Sequence, residues 1–243
     1  MKVEAITHTL GGRNFESQLV WDDTTKEVRP LLLMAPNWMG VTPNAIEYSK
    51  HLAAQGYVVL CADMHGLDRR PTGKEVPMEF LSPLTNNPTE TRARVNAAMD
   101  VLTKAATDKG IGNPKLRAAF GYCFGGANVL DLARSGADVA AVVSFHGNLK
   151  SGIEAKPGEV KAAVLVVHGA DDPIAPKGDR DALEAEMRAA GARWTLLNFG
   201  HVYHSFTDAS ANRPPASQFS AHANRYGYML AHAFVADAFA GRV

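Results

Sequence analysis

Five short, mostly apolar runs constrain this chain more than anything else in it, Leu31 to Ala35, Tyr57 to Ala62, Leu116 to Phe120, Val139 to Ser144 and Ala163 to Val167, and Trp194 to Phe199 reads as a last strand. Runs of this length without polar alternation are what parallel strands covered on both faces require. The segments between them read as helices. Thr42 caps one with Pro43 at its first position and Gly56 closing it, which makes a βαβ unit. Asn87, Pro88 and Glu90 open another as cap, first-turn proline and capping-box acid, followed by the buried stripe Val95, Met99, Leu102 and Ala106.

Residues 5–10 and 14–21 alternate around Gly11 and Gly12, as two strands of an N-terminal hairpin do. The segment from Asp63 to Asn86 holds Pro71, Gly73, Pro77 and Pro83 and shows no sustained period, so it is expected as a long loop after a strand end. Residues 178–190 form an amphipathic helix stopped by Gly191, and Phe219, Tyr226, Leu230 and Phe234 mark a C-terminal helix with Gly227 as an internal weak point. Alternating strands and helices imply a mostly parallel, doubly wound α/β sheet of about eight strands with helices on both faces. No linker, repeat or low-complexity tract interrupts the 243 residues, so a single domain spanning 1–243 is expected.

With 25 basic and 25 acidic residues the chain has no electrostatic footprint for nucleic acid or an anionic membrane surface, and neither partner is expected. No export signal and no run approaching the roughly 18 apolar residues of a membrane span is visible, which points to the cytoplasm and to reduced thiols at Cys61 and Cys123. Oligomeric state stays open.

In such sheets functional groups collect at the carboxyl ends of the strands. Those ends carry Asn37 and Trp38, Asp63 and His65, Cys123, His146, Asp171 and Asp172, then His201 and His204. Gly121-Tyr122-Cys123-Phe124-Gly125-Gly126 has the form of a nucleophile elbow, a sharp strand-to-helix turn whose flanking glycines let strand and helix approach. The Cys123 sulfur then sits at a helix N-terminus, where the dipole favours an anion. A thiol nucleophile needs a base within hydrogen-bond reach and an acceptor that orients the base; the Asp and His pairs downstream supply both. His201 and His204 could also suggest a metal site, but no third ligand is placed by sequence, so no metal and no cofactor are expected. His65, His146 and His168 read as hydrogen-bonded strand-end residues.

On these motifs, together with His168-Gly169-Ala170-Asp171-Asp172-Pro173, Pro176 and His204-Ser205-Phe206, the chain resembles the dienelactone hydrolase family of α/β-hydrolases over nearly its whole length. The resemblance implies an α/β-hydrolase fold and the chain order nucleophile, acid, histidine. It favours Asp172 over Asp171, through the Gly-x-x-Asp spacing from Gly169 and the proline four residues after the acid. His204 is preferred over His201 through the family's His-x-Phe. The implied oxyanion donors are the backbone N–H groups of Phe124 and Trp38, and the candidate substrate-facing side chains are Asn37, Tyr122, Phe145 and Tyr203.

Two positions depart from the family pattern. Members that open dienelactones carry a glutamate where this chain has Asn37, and an arginine four residues after the histidine, where Asp208 stands; Arg69 or Arg70 could compensate. A neutral ester or lactone is therefore expected, cleaved through a Cys123–His204–Asp172 triad and an acyl-enzyme. Thioester hydrolysis or acyl transfer is the alternative within the enzymes, and a redox-sensing or binding protein the alternative outside them.

Overall fold

The computed structural model describes residues 1–243, which group into two compact units, Met1–Ala119 and Phe120–Val243. In the first unit, β1 (Lys2–Leu10) and β2 (Arg13–Trp21) form the expected hairpin, turned by Gly11 and Gly12 at positive φ. β3 (Arg29–Ala35) leads to α1 (Pro43–Ala53), whose first turn is capped by Thr42: its hydroxyl oxygen accepts the Ala45 N–H at 3.2 Å, a contact of the kind that contributes about 1 kcal/mol. β4 (Val58–Cys61) returns parallel to β3, with Leu33 opposite Leu60, and also pairs antiparallel with β2. Leu31, Leu32, Leu33, Val59 and Leu60 have no exposed surface, which explains why neither strand alternates with polar residues.

The stretch after β4 differs from expectation. It holds a single 3-10 turn at Leu67–Arg69 and a helix, α2 (Pro77–Thr85), rather than loop throughout. Pro77 occupies the first turn, where its missing N–H is harmless, but Pro83 lies inside the helix and Met78 on it is 63% exposed. An interior proline and an apolar residue facing outward erase the helical period from the sequence. α3 (Pro88–Asp108) follows with the Asn87 cap and the buried stripe Val95, Met99, Leu102 and Ala106, and then β5 (Gly112–Tyr122), inside which the unit boundary falls.

The second unit begins at the end of β5 and continues with α4 (Phe124–Arg134), β6 (Ala141–Phe145), β7 (Ala163–Gly169), α5 (Lys177–Ala189) and β8 (Trp194–Phe199). β6, β7 and β8 are parallel neighbours, with Val143 opposite Leu165 and Val166 opposite Leu196. A two-residue ribbon of β9 (Asn212–Arg213) and β10 (Ser217–Gln218) precedes α6 (Ala221–Phe239). The eight long strands form one sheet in the order β1-β2-β4-β3-β5-β6-β7-β8.

α6 forms as expected, but of the large apolar residues that mark it in the sequence only Phe234 lies on its buried face. Tyr226 is 47% exposed, and the buried stripe is Ala223, Gly227, Ala231, Phe234 and Val235. Gly227 is a point of close approach rather than a weak point: a Cβ there would stand 2.9 Å from Val167 Cγ1 and 3.4 Å from Phe145 Cε1. Small residues every four positions let the helix lie directly on β6 and β7. On the other helices of this unit, Arg134 of α4 is fully buried and forked onto Glu186 of α5 with two bonds of 2.8 Å, its third nitrogen reaching Asp131 at 3.3 Å. Removing one partner would strand a buried charge, at a cost of about 3–5 kcal/mol. No helix is long and apolar enough to cross a membrane.

Candidate active site

Cys123 occupies the turn between β5 and α4 with φ 55° and ψ −115°, a left-handed conformation that a β-carbon disfavours and that persists only where surrounding structure imposes it. What imposes it is close packing. A Cβ on Gly121 would lie 2.0 Å from the Gly125 carbonyl oxygen, and one on Gly126 would lie 2.7 Å from Gly147 Cα and 2.8 Å from Ser144 Oγ. The Cys123 N–H donates to the Phe145 carbonyl at 3.1 Å, tying the elbow to the end of β6. The thiol is free and half-buried at the mouth of α4, and Phe124 opens that helix, where backbone N–H groups point out of its end. The elbow glycines were legible in sequence; the Gly147 and Ser144 backing was not.

The two acids and two histidines sort into separate pairs. Asp172 is 2% exposed; its Oδ1 accepts the Ile174 N–H at 2.8 Å and its Oδ2 accepts from His204 Nδ1 at 2.8 Å. Asp171 and His201 face solvent, 3.5 Å apart, with the His201 side chain wholly exposed. Backbone bonds stitch the acid turn to the histidine loop: Ala170 N–H to the Phe199 carbonyl at 2.8 Å and Asp171 N–H to the Val202 carbonyl at 3.1 Å. Gly169 permits this approach, since a Cβ there would be 2.3 Å from the Val202 oxygen.

His204 lies within hydrogen-bond reach of Cys123 on one side and Asp172 on the other. Burial alone would push its pKa down, but the charge of the Cys123 sulfur and the hydrogen bonds to Asp172 and Cys123 outweigh it and raise the pKa to about 10. The loop is strained around it, with His201 at φ 58° and Ser205 at φ 57°. His168 is fully buried beside Asp172, and burial lowers its pKa. His146, also buried, stands edge-on to the His204 ring with centroids 5.1 Å apart, and burial followed by the His204 charge holds its pKa well down.

The remaining candidates divide. Tyr122 is nearly buried, stacks on Phe145 at 5.2 Å and accepts a hydrogen bond from the Tyr228 hydroxyl at 2.8 Å. Phe145, expected among the substrate-facing side chains, has no exposed surface: it packs against Phe120, Tyr122 and Tyr228 and belongs to the core, because β6 is covered on both faces. Tyr203 is half-buried in the histidine loop. In the first unit, Asn37 and Trp38 are half-buried; the Asn37 carboxamide oxygen accepts the Met39 N–H at 3.0 Å, shaping its own turn. The Trp38 carbonyl lies 2.9 Å from His65 Nε2. Arg69 lies over the Phe80 ring, 4.4 Å from its centroid, and bonds the Phe80 carbonyl, while Arg70 reaches Glu16 and Asp63. Asp208 accepts from the Ser210 N–H and hydroxyl. No group of three or more His, Cys, Asp or Glu side chains is arranged to hold a metal ion.

A sequence profile of the dienelactone hydrolase family matches residues 20–238. Over 154 residues the chain is 34% identical to an uncharacterised Caenorhabditis elegans protein, spanning 61% of this chain and 94% of the relative. Among solved structures it is similar to a dienelactone hydrolase-like promiscuous phosphotriesterase from metagenomic libraries, with 29% identity, TM-score 0.85 and coverage of 97% of this chain and 98% of the other. It is also similar to the protein designated m3DLH, with 30% identity, TM-score 0.88 and 98% of each chain covered.

Proposed function

This chain belongs to the dienelactone hydrolase family and is a carboxylic ester hydrolase, and from that premise we propose that it cleaves neutral esters or lactones with Cys123 as nucleophile, His204 as base and acid, and Asp172 as the orienting carboxylate. The observation that carries the reading is the series from buried Asp172 Oδ2 through His204 to half-buried Cys123, in which each group is within hydrogen-bond reach of the next.

The steps follow from that series. Cys123 Sγ bonds to the ester carbonyl carbon while its proton resides on His204, and the carbonyl π pair moves onto oxygen. The family resemblance nominates the Phe124 N–H as a donor to that developing charge, and one such donor commonly contributes on the order of 3 kcal/mol to the transition state. Collapse breaks the bond to the leaving oxygen, which takes the His204 proton and departs as alcohol. A water molecule then gives its proton to His204, attacks the thioester and releases the acid, returning the proton to sulfur. Asp172 keeps one imidazole nitrogen engaged throughout, so the other alone exchanges protons.

A neutral substrate is favoured because Asp208 stands in the histidine loop, four residues after His204, where the family resemblance implies an arginine. Burst kinetics with p-nitrophenyl acetate and butyrate test the reading: Cys123→Ala is expected to lose at least about a thousandfold in rate. An undiminished rate in that variant would overturn it.

Phosphotriester hydrolysis is a second reading, favoured by likeness to the metagenomic phosphotriesterase. There Cys123 would displace a phenol from phosphorus, and water would have to release the phosphoryl-enzyme. Sustained, Cys123-dependent release of p-nitrophenol from paraoxon supports it; a release that stops at one equivalent leaves carboxylic esters as the substrate class.

A further inference from the structure

We propose that His146 is a positioning residue for His204, holding the histidine loop through the Thr207 hydroxyl and setting the imidazole plane through its own ring. The inference rests on the reading of Cys123 and His204 as the reacting pair. His146 follows β6, anchored by its N–H to the Val167 carbonyl at 2.9 Å, and adopts φ 39°. A non-glycine residue held there is strained, and such strain persists where surrounding contacts over-determine it.

Besides the tie to β7 and a tilted contact with the Tyr122 ring at 6.3 Å, its side-chain contacts run to the histidine loop. His146 Nε2 lies 2.8 Å from Thr207 Oγ1, with both residues buried, and its ring stands nearly perpendicular to His204 at 5.1 Å and to Phe206 at 5.0 Å. Thr207 comes three residues after His204, and Ser205 between them is itself left-handed. One buried side chain therefore holds the reacting imidazole on its face and the strained turn at its far end. Two points of attachment fix a ring where one would let it swing, and small misplacements of a reacting group carry large rate penalties.

His146 suits this part because it carries no charge of its own. Its Nδ1 is buried with no hydrogen-bond partner, so a second proton would be unsatisfied there, and a cation would repel the imidazolium of His204. The titratable groups around it are His204, His168 and Tyr122, and around His204 they are Cys123, Asp172, His146 and His168.

The test pairs Thr207→Val, which keeps shape and removes the hydroxyl, with Thr207→Ser, which keeps the hydroxyl, and adds His146→Gln. Two readouts are taken: kcat and KM on p-nitrophenyl butyrate, and the pH dependence of Cys123 alkylation by iodoacetamide. Thr207→Val and His146→Gln are expected to lower kcat about tenfold with KM within about twofold, and to move the alkylation profile by about half a pH unit, while Thr207→Ser preserves both. A Thr207→Val enzyme with wild-type kcat and alkylation profile overturns the proposal, as does equal loss in Thr207→Ser. If Cys123→Ala retains esterase activity, the reading of the reacting pair falls and the positioning role with it; if Cys123→Ala is inactive and Thr207→Val is silent, only the positioning role falls.

Discussion

Two Asp–His pairs lie one turn apart in this protein, built from the same residue types on the same two loops, and they have opposite environments. Asp172 and His204 are 2.8 Å apart with 0% and 8% of their side chains exposed; Asp171 and His201 are 3.5 Å apart with 45% and 100% exposed. At the surface, water screens the attraction and satisfies both groups separately, so the contact decides little. Below it, each partner is the other's replacement for solvent, and proximity to Cys123 then gives the buried histidine a charge to answer. What separates a structural ornament from a candidate catalytic pair is one residue of register in the acid turn.

The largest test of that contrast is Asp172→Asn, expected to lower kcat on p-nitrophenyl butyrate on the order of 10³- to 10⁴-fold by releasing the imidazole orientation, against a change within about twofold for Asp171→Asn. Comparable losses in the two variants would break the comparison. Next comes Gly169→Ala, whose methyl group would press on the Val202 carbonyl behind both pairs. Separating the acid turn from the histidine loop is expected to reduce kcat about a hundredfold and to destabilise the fold by about 1–3 kcal/mol, read by urea unfolding.

A subtler effect is pH dependence. His204 has a pKa of about 10 when folded against 6.5 in the unfolded chain, so its bound proton stabilises the native state fully below about pH 6.5. That contribution fades as pH rises through about 10. Urea unfolding of wild type and His204→Gln should therefore show a stability difference at pH 6.5 that shrinks toward pH 10, and a difference independent of pH would contradict the coupling. The smallest expected effect is that of His201→Gln, whose urea midpoint and kcat should follow wild type across the same range.

Much of this was legible in residue order, and the parts that were not share a cause. Thr42 and Asn87 announced their helices because a cap is a local hydrogen bond to a nearby backbone N–H. Gly121 and Gly125 announced the elbow because the strand and helix they join are adjacent in sequence. Family spacing favours Asp172 and His204, and the two lie 2.8 Å apart and buried. α2 is hidden because Pro83 interrupts its pattern, and the inner face of α6 is carried by Ala223, Gly227 and Ala231 as much as by Phe234, so its large residues alone misstate it. Phe145 belongs to the core although it ends a strand, because a strand buried on both faces gives no sign of which side chains meet a cavity. The link from His146 to Thr207 spans 61 positions, and nothing local in either residue signals it.

Cys61 gives the molecule an internal gauge. It has no exposed surface on β4, and burial pushes its thiol up to about 12, while Cys123 sits half-open at the elbow. A thiol reagent added to the native protein should therefore count one sulfur quickly, and the second only as fast as the sheet opens around it. In mild urea, with Cys123 already blocked, the slow rate at Cys61 becomes a clock for the opening of β4, reporting the cohesion of the first unit without any label being introduced.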